Sequence, residues 1–131
     1  MGIKYSRADD IKIAAEEIIK ILNWNHIPLD SVSFLRSHGS TSRGTIARCH
    51  ALGKAMQIGL GREKGFYLIE VIAERFDRLS EDDKVKTIIH ELMHIPKSFG
   101  GGFIHHNIVN DKNVRRVYEH YTQLRNNRKW F

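Results

Sequence analysis

The stretch Ser80–Pro96, SEDDKVKTIIHELMHIP, decides the fold because it carries the local signals of an amphipathic helix. Ser80 and Asp83 have the spacing of a capping box, and the acidic residues that follow Ser80 complement the positive end of a helix dipole. Pro96 is the natural place for the helix to end. Between the cap and the proline, apolar residues recur at intervals of three and four: Val85, Ile88, Ile89 and Leu92. The stretch therefore predicts a helix with one face on a hydrophobic core.

The same helix carries two histidines, His90 and His94, that are four residues apart. Because a helical turn takes about 3.6 residues, both imidazoles project from one side and can bind a single metal ion. Glu91 follows the first histidine, where its carboxylate can take a proton from a water that zinc activates. The pattern predicts a zinc site with Glu91 as general base. Imidazole ligands also suit nickel, copper or iron.

A catalytic zinc needs a third protein ligand and one open position. Three glycines, Gly100 to Gly102, predict a sharp reversal of the chain after the helix. Such a reversal would return His105 or His106 to the metal. Glu119 on the final helix is the third candidate, if that helix packs across the site. The residues alone leave these three candidates open.

Upstream of this helix the pattern predicts one helix and three strands. Ser6 and Asp9 form a second capping box, which predicts an N-terminal helix that runs to about Asn23. We interpret three later segments as strands: Ser31–Ser37, Thr45–Leu60 and Phe66–Ala73. The second segment could also be a helix. We favour a strand, because small residues at alternate positions would form one face that a neighbouring helix could approach closely. We expect an extended substrate to pair with an edge strand near Phe66–Ala73.

The last predicted element is a helix with one apolar stripe, formed by Val114, Val117, Tyr118, Tyr121 and Leu124. The order is then α-β-β-β-α-α, which indicates an α+β fold: an N-terminal helix, a small three-stranded sheet, the helix with His90 and His94, and a C-terminal helix. We expect residues 1–131 to form a single domain, since the length is ordinary for one domain.

Composition places the chain among globular proteins, with 41% hydrophobic and 27% charged residues. No apolar run approaches the length of a membrane span, and the polar first residues do not read as a signal peptide. With one cysteine, Cys49, an internal disulfide is excluded, and we interpret it as a small core residue. These features favour a cytoplasmic protein without a membrane partner.

Five stretches, with His106 after the glycines, are similar to a known family: Arg36–Arg43, Ile46–Arg48, Gln57–Gly61, Phe76–Lys84 and Ile89–Phe99. They resemble a metallopeptidase family of archaea and phages. The resemblance spans about Phe34 to His106 and is most specific downstream. It implies a compact zincin-like fold, in which a strand borders a cleft above the metal helix. It also implies His106 as third ligand, because the family's histidine stands twelve residues after the position of His94.

Three functions fit these residues. The leading one is zinc-dependent hydrolysis of a peptide or protein substrate, with Glu91 as general base. The second is a zinc protease associated with DNA, suggested by the net charge of +6 and the basic residues in Arg125–Lys129. The third is a binding module that zinc stabilises without catalysis, which predicts four protein ligands, for example both His105 and His106.

Overall fold

The computed structural model describes residues 2–128 as an α+β fold with four strands and five α-helices. A short strand precedes the first helix, and the longest helix closes the described chain. A 3₁₀ turn, Leu29–Ser31, leads into the second strand. In chain order the elements are β1 (Lys4–Arg7), α1 (Asp9–Leu22), β2 (Val32–His38), β3 (Ala47–Ala51), α2 (Lys54–Gly59), β4 (Tyr67–Ile72), α3 (Ala73–Phe76), α4 (Glu81–Met93) and α5 (Asp111–Arg128).

The four strands form one mixed sheet in the order β1-β2-β4-β3. β2 and β4 are parallel, with Phe34 opposite Ile69, whereas β1 and β3 are each antiparallel to their neighbour. β4 therefore lies inside the sheet, and the expectation of an edge strand near Phe66–Ala73 is wrong. The free edge beside the helices is β3.

One hydrophobic core joins the sheet to three helices. α1 contacts β2, α4 contacts β3, and these two helices contact each other and α5. β3 presents small residues to α4, so the helix approaches the sheet closely, as the alternation of small residues predicts. Among the buried core residues are Ile11, Ala15, Ile18, Phe34, Ile69, Val71, Ile88, Ile89, Leu92, Val114 and Tyr121.

The predicted capping box at Ser6 and Asp9 is wrong. Ser6 lies in β1 opposite Arg36 of β2, and Ala8 stands at the N-cap of α1 without a side-chain hydrogen bond. The backbone N–H of Ala8 instead donates to the carbonyl of Phe34, which extends the contact with β2. Pairing with a neighbouring strand thus outweighs the local cap. The helix ends as predicted at Asn23, which adopts a left-handed conformation with φ of 57°.

The three-stranded sheet is also wrong, because β1 adds a fourth strand. Within the segment Thr45–Leu60 only Ala47–Ala51 is strand, and Lys54–Gly59 forms α2. From Gly53 to Leu60 only Gln57 is buried, and the large apolar residues Met56, Ile58 and Leu60 are exposed, so the segment does not have the buried apolar face of a core strand. The strand there is therefore about a third of its predicted length, with 5 residues.

The short helix α3 was not predicted, whereas the remaining predicted elements match closely. Ser80 caps α4 by accepting a 3.2 Å hydrogen bond from the backbone N–H of Asp83. In α5, Val114 and Tyr121 are buried on the predicted stripe. Among residues 2–128, no helix combines the length and apolarity that crossing a bilayer requires.

Candidate metal centre

The two histidines of α4 lie at its C-terminal end and face the same side. His90 is in the last turn, and His94 is the C-cap residue with helical backbone angles. Their ring centroids are 5.1 Å apart. His94 is 7% exposed, whereas His90 is partly buried. The pair therefore forms one wall of a shared site.

The chain after α4 turns back and brings His106 to this pair. The ring of His106 lies 4.8 Å from that of His94 and 5.5 Å from that of His90, between centroids. One ring nitrogen from each residue lies within 4.8 Å of the others. Within residues 2–128, the cluster includes neither His105 nor Glu119. Of the three candidates for a third ligand, His106 is the one that meets the pair.

His94 is held in one orientation by the loop. Its Nδ1 lies 2.6 Å from the carbonyl oxygen of Ile104, and the N–H of Ile104 donates to the carbonyl of His94 at 2.9 Å. A carbonyl can only accept, so Nδ1 carries the proton and Nε2 keeps its lone pair. This is the arrangement in which a metal-binding histidine is usually found.

The chemistry of the cluster fits a divalent metal ion. Burial lowers the pKa of His90 and of His94, and the charge of His106 lowers the pKa of each further. Burial thus favours the neutral form of His90 and of His94, which is the form that binds metal. Three imidazole nitrogens suit a divalent ion such as zinc and leave room for a further ligand.

Glu91 lies beside the cluster with only 6% of its surface exposed. Burial raises the pKa of Glu91 to about 7. A carboxyl group with such a pKa can take up and release a proton near neutral pH. Glu91 is thus chemically suited to acid–base work.

Two cavities meet at His90 and Glu91. One, of about 580 Å³, extends toward α5, and the other, of about 530 Å³, contains His94 and His106. Thr45 and Ala47, at the free edge of the sheet, line both. Together the cavities form an open cleft that runs between β3 and the histidine cluster.

The register of β3 directs part of its backbone into this cleft. Ile46 accepts a hydrogen bond from Ile72, and Leu52 donates one to Phe66, so residues at even numbers bond to β4. In an antiparallel pair, bonded and non-bonded positions alternate. The N–H and C=O of Ala47 and Cys49 therefore point away from β4, toward the free edge.

Two residues near the site, Tyr67 and Gly65, make close contacts with the loop after α4 that the sequence pattern did not predict. Tyr67, fully buried in β4, donates from its hydroxyl to the carbonyl of Gly102 at 2.8 Å and accepts from the N–H of Gly101 at 3.0 Å. Gly65 passes so close to the loop that an added Cβ would lie 2.6 Å from the carbonyl oxygen of Phe99. No motif marks either contact, because both depend on the folded position of the loop.

Cys49 lies on the core side of β3 near Glu91. Burial, together with the charge of Glu91, raises the pKa of its thiol to about 12. The thiol is therefore protonated and unreactive at neutral pH, which agrees with its interpretation as a small packing residue.

Of the basic residues near the C-terminus, Arg125 makes an ion pair and Arg128 is exposed. Nε of Arg125 lies 3.5 Å from the carboxylate of Glu17 on α1, while Arg128 ends α5 with its side chain exposed. Lys129 lies outside the described residues. Nothing in the described part of this segment points to nucleic acid.

Comparison with known proteins agrees with the geometry of the cluster. No curated protein and no solved structure matches the chain. A family model described as "Putative phage metallopeptidase" matches residues 3–126, which include all of the elements from β1 to most of α5. Since this match covers nearly the whole sequence, the chain belongs to the phage metallopeptidase family.

Proposed function

We propose that the protein is a zinc-dependent peptidase with a zincin-like fold in a single domain. His90, His94 and His106 bind the zinc, and Glu91 is the general base. The observation that carries this proposal is the convergence of three imidazoles within 4.8 Å, beside a buried carboxyl group. Membership of the metallopeptidase family supports the reaction class.

The ligand set supports a catalytic rather than a structural metal. A structural zinc is closed by four protein ligands, whereas a catalytic zinc keeps one position open. In residues 2–128 the histidine cluster has three members, and His105 is outside it. When bound, zinc polarises the scissile carbonyl and lowers the pKa of a coordinated water.

Glu91 moves the proton. Its carboxylate accepts a proton from the attacking water and delivers it to the amine nitrogen as the peptide bond breaks. Burial supports this role, because a pKa of about 7 lets one group act as base and then as acid at neutral pH.

The free edge of β3 binds the substrate backbone. The outward N–H and C=O of Ala47 and Cys49 can pair with an extended peptide, as in the addition of a strand to a sheet. Ala47 lines both cavities that meet at Glu91, so a peptide paired there would pass directly beside the histidines. The cleft extends to both sides of that point, as cleavage within a chain requires.

The test is the substitution Glu91→Gln, which removes the base but keeps the shape. We expect zinc content to be unchanged and cleavage of a peptide library to fall by about 10²- to 10⁴-fold. Glu119→Gln is the matched control, because Glu119 is exposed on α5 and lies outside the cluster. Undiminished cleavage by the Glu91→Gln protein would refute the proposal.

A further inference from the structure

A buried hydroxyl of the sheet, that of Tyr67, holds the loop that carries His106. Tyr67 has no exposed surface, and its hydroxyl bonds both Gly101 and Gly102. The hydroxyl donates its proton to the C=O of Gly102 and accepts from the N–H of Gly101 with an oxygen lone pair. Each of these two backbone groups therefore has a hydrogen-bond partner within the protein. Burial raises the pKa of Tyr67, which keeps the phenol protonated and able to donate.

The aromatic ring of Tyr67 adds contacts to the same loop. Phe99 packs against it edge-on with centroids 4.8 Å apart, and Phe103 does so at 6.2 Å. Phe103 in turn lies edge-on to the ring of His94 at 6.3 Å. Tyr67 therefore contacts the loop on both sides of the glycines and reaches the metal ligands through one intervening ring.

The backbone of the loop needs such an anchor. Gly101 has a φ of +97°, a conformation that other residues rarely adopt, and an added Cβ there would lie 3.2 Å from the carbonyl oxygen of Leu52. Three successive glycines have many alternative conformations, so their order must be imposed by contacts. The hydroxyl of Tyr67 supplies two such contacts at the centre of the segment.

We propose that Tyr67 is a positioning residue of the metal centre: its hydroxyl fixes the glycine segment in the course that delivers His106 to His90 and His94. This inference rests on the proposed zinc site. Tyr67 is buried and both of its hydrogen-bonding groups are occupied by the loop, so it acts on the metal through His106 and does not contact substrate.

The substitution Tyr67→Phe tests this, because it removes the hydroxyl and keeps the ring. We expect the zinc affinity of the folded protein, measured by competition with a fluorescent chelator, to fall about 10- to 100-fold, as for other changes behind a metal ligand. The absorption spectrum of the Co²⁺-loaded variant should shift toward that of His106→Ala, since both variants weaken the same ligand.

Tyr121→Phe is the matched control for lost stability. Tyr121 is also buried, at 2% exposure, and its hydroxyl donates to Glu17 at 3.3 Å on the far side of the core. We expect this variant to keep its zinc affinity within about twofold of the parent, because bonds made away from the site do not orient ligands. The stability of both metal-free variants is measured alongside.

A second variant, Gly101→Ala, disturbs the loop while leaving Tyr67 in place, and it keeps the test decisive if Tyr67→Phe does not fold. It should lower zinc affinity in the same way. If the folded variants keep the zinc affinity and the Co²⁺ spectrum of the parent, the positioning role of Tyr67 is refuted, while the proposed zinc site still stands. A parent protein that binds no zinc would instead overturn the proposed function, and the inference with it.

Discussion

The carbonyl oxygen of Ile104 lies 2.6 Å from Nδ1 of His94, and the N–H of Ile104 donates back to the carbonyl of His94 at 2.9 Å. A histidine of the cluster on α4 and the loop that carries His106 are thus joined by two reciprocal hydrogen bonds. The carbonyl of Ile104 orients the ring of His94, and the carbonyl of His94 holds Ile104 in place. Ile104 lies two residues before His106.

This relationship predicts the tautomer of His94. Because Nδ1 donates to a carbonyl, the proton resides on Nδ1 both before and after zinc binds to Nε2. Two-dimensional ¹H–¹⁵N spectra of histidine-labelled protein distinguish the two tautomers directly. A proton found on Nε2 of His94 in the metal-free protein would contradict the proposed geometry.

The neighbouring histidines provide a second prediction. His106→Ala should lower zinc affinity by at least about 100-fold, since the loss of a direct ligand costs more than the 10- to 100-fold typical of the residues behind it. His105→Ala should leave zinc affinity close to that of the parent, because His105 lies outside the cluster. Calorimetric titration with zinc measures the affinity of the two variants. The reverse ranking would assign the third ligand to His105.

The free edge of β3 provides a third prediction. Proline at position 47 removes one outward N–H, and an edge strand tolerates proline where the N–H faces away from the sheet. We therefore expect Ala47→Pro to fold and bind zinc, but to lose about tenfold in kcat/KM for peptides, which corresponds to about 1.4 kcal/mol. Ala47→Ser keeps the N–H and should cleave as the parent does. Equal cleavage by both variants would exclude backbone pairing at Ala47.

A fourth prediction concerns stability in acid. The guanidinium of Arg36 hydrogen-bonds Asp10 at 2.8 Å and Asp77 at 2.9 Å, which joins the start of α1 to the residue after α3. The hydrogen bond from Arg36 holds the pKa of Asp10 below its ordinary value of 3.8. A carboxyl group with a lowered pKa stabilises the folded state above its unfolded pKa, and this contribution is lost as the pH falls through the folded value.

Asp10→Asn should therefore lower the free energy of unfolding by about 1 kcal/mol at neutral pH, and by progressively less below about pH 4. Asp9→Asn is the control, because Asp9 is exposed in the same first turn of α1. Urea denaturation of the three proteins between pH 3 and pH 7 measures the difference. A difference for Asp10→Asn that is independent of pH would show that the ion pair is not its cause.

Where structure depends on local signals, the sequence predicts it well. Four turns of one helix contain the cap at Ser80, the regularly spaced apolar residues of α4, and His90 with Glu91. The same holds for α5, whose buried Val114 and Tyr121 follow a regular stripe. These elements need no information from distant residues to form.

The elements that the sequence did not predict depend on distant contacts. β1 is a strand because Lys4–Arg7 pairs with β2, although all four of its residues are exposed and lack an alternating pattern. The choice between His105 and His106 likewise has no periodicity to guide it. The loop is hydrogen-bonded at Gly102 by the hydroxyl of Tyr67 and at Ile104 by the ring of His94, and no motif records these bonds between side chains and backbone.

The most direct test is anomalous diffraction at the zinc edge from crystals of the zinc-loaded protein. We predict one ion in contact with nitrogens of His90, His94 and His106 at about 2.0–2.1 Å, with its fourth position open to the cleft beside Glu91. An ion bound elsewhere, or a fourth position filled by a protein side chain, would contradict the proposed catalytic site.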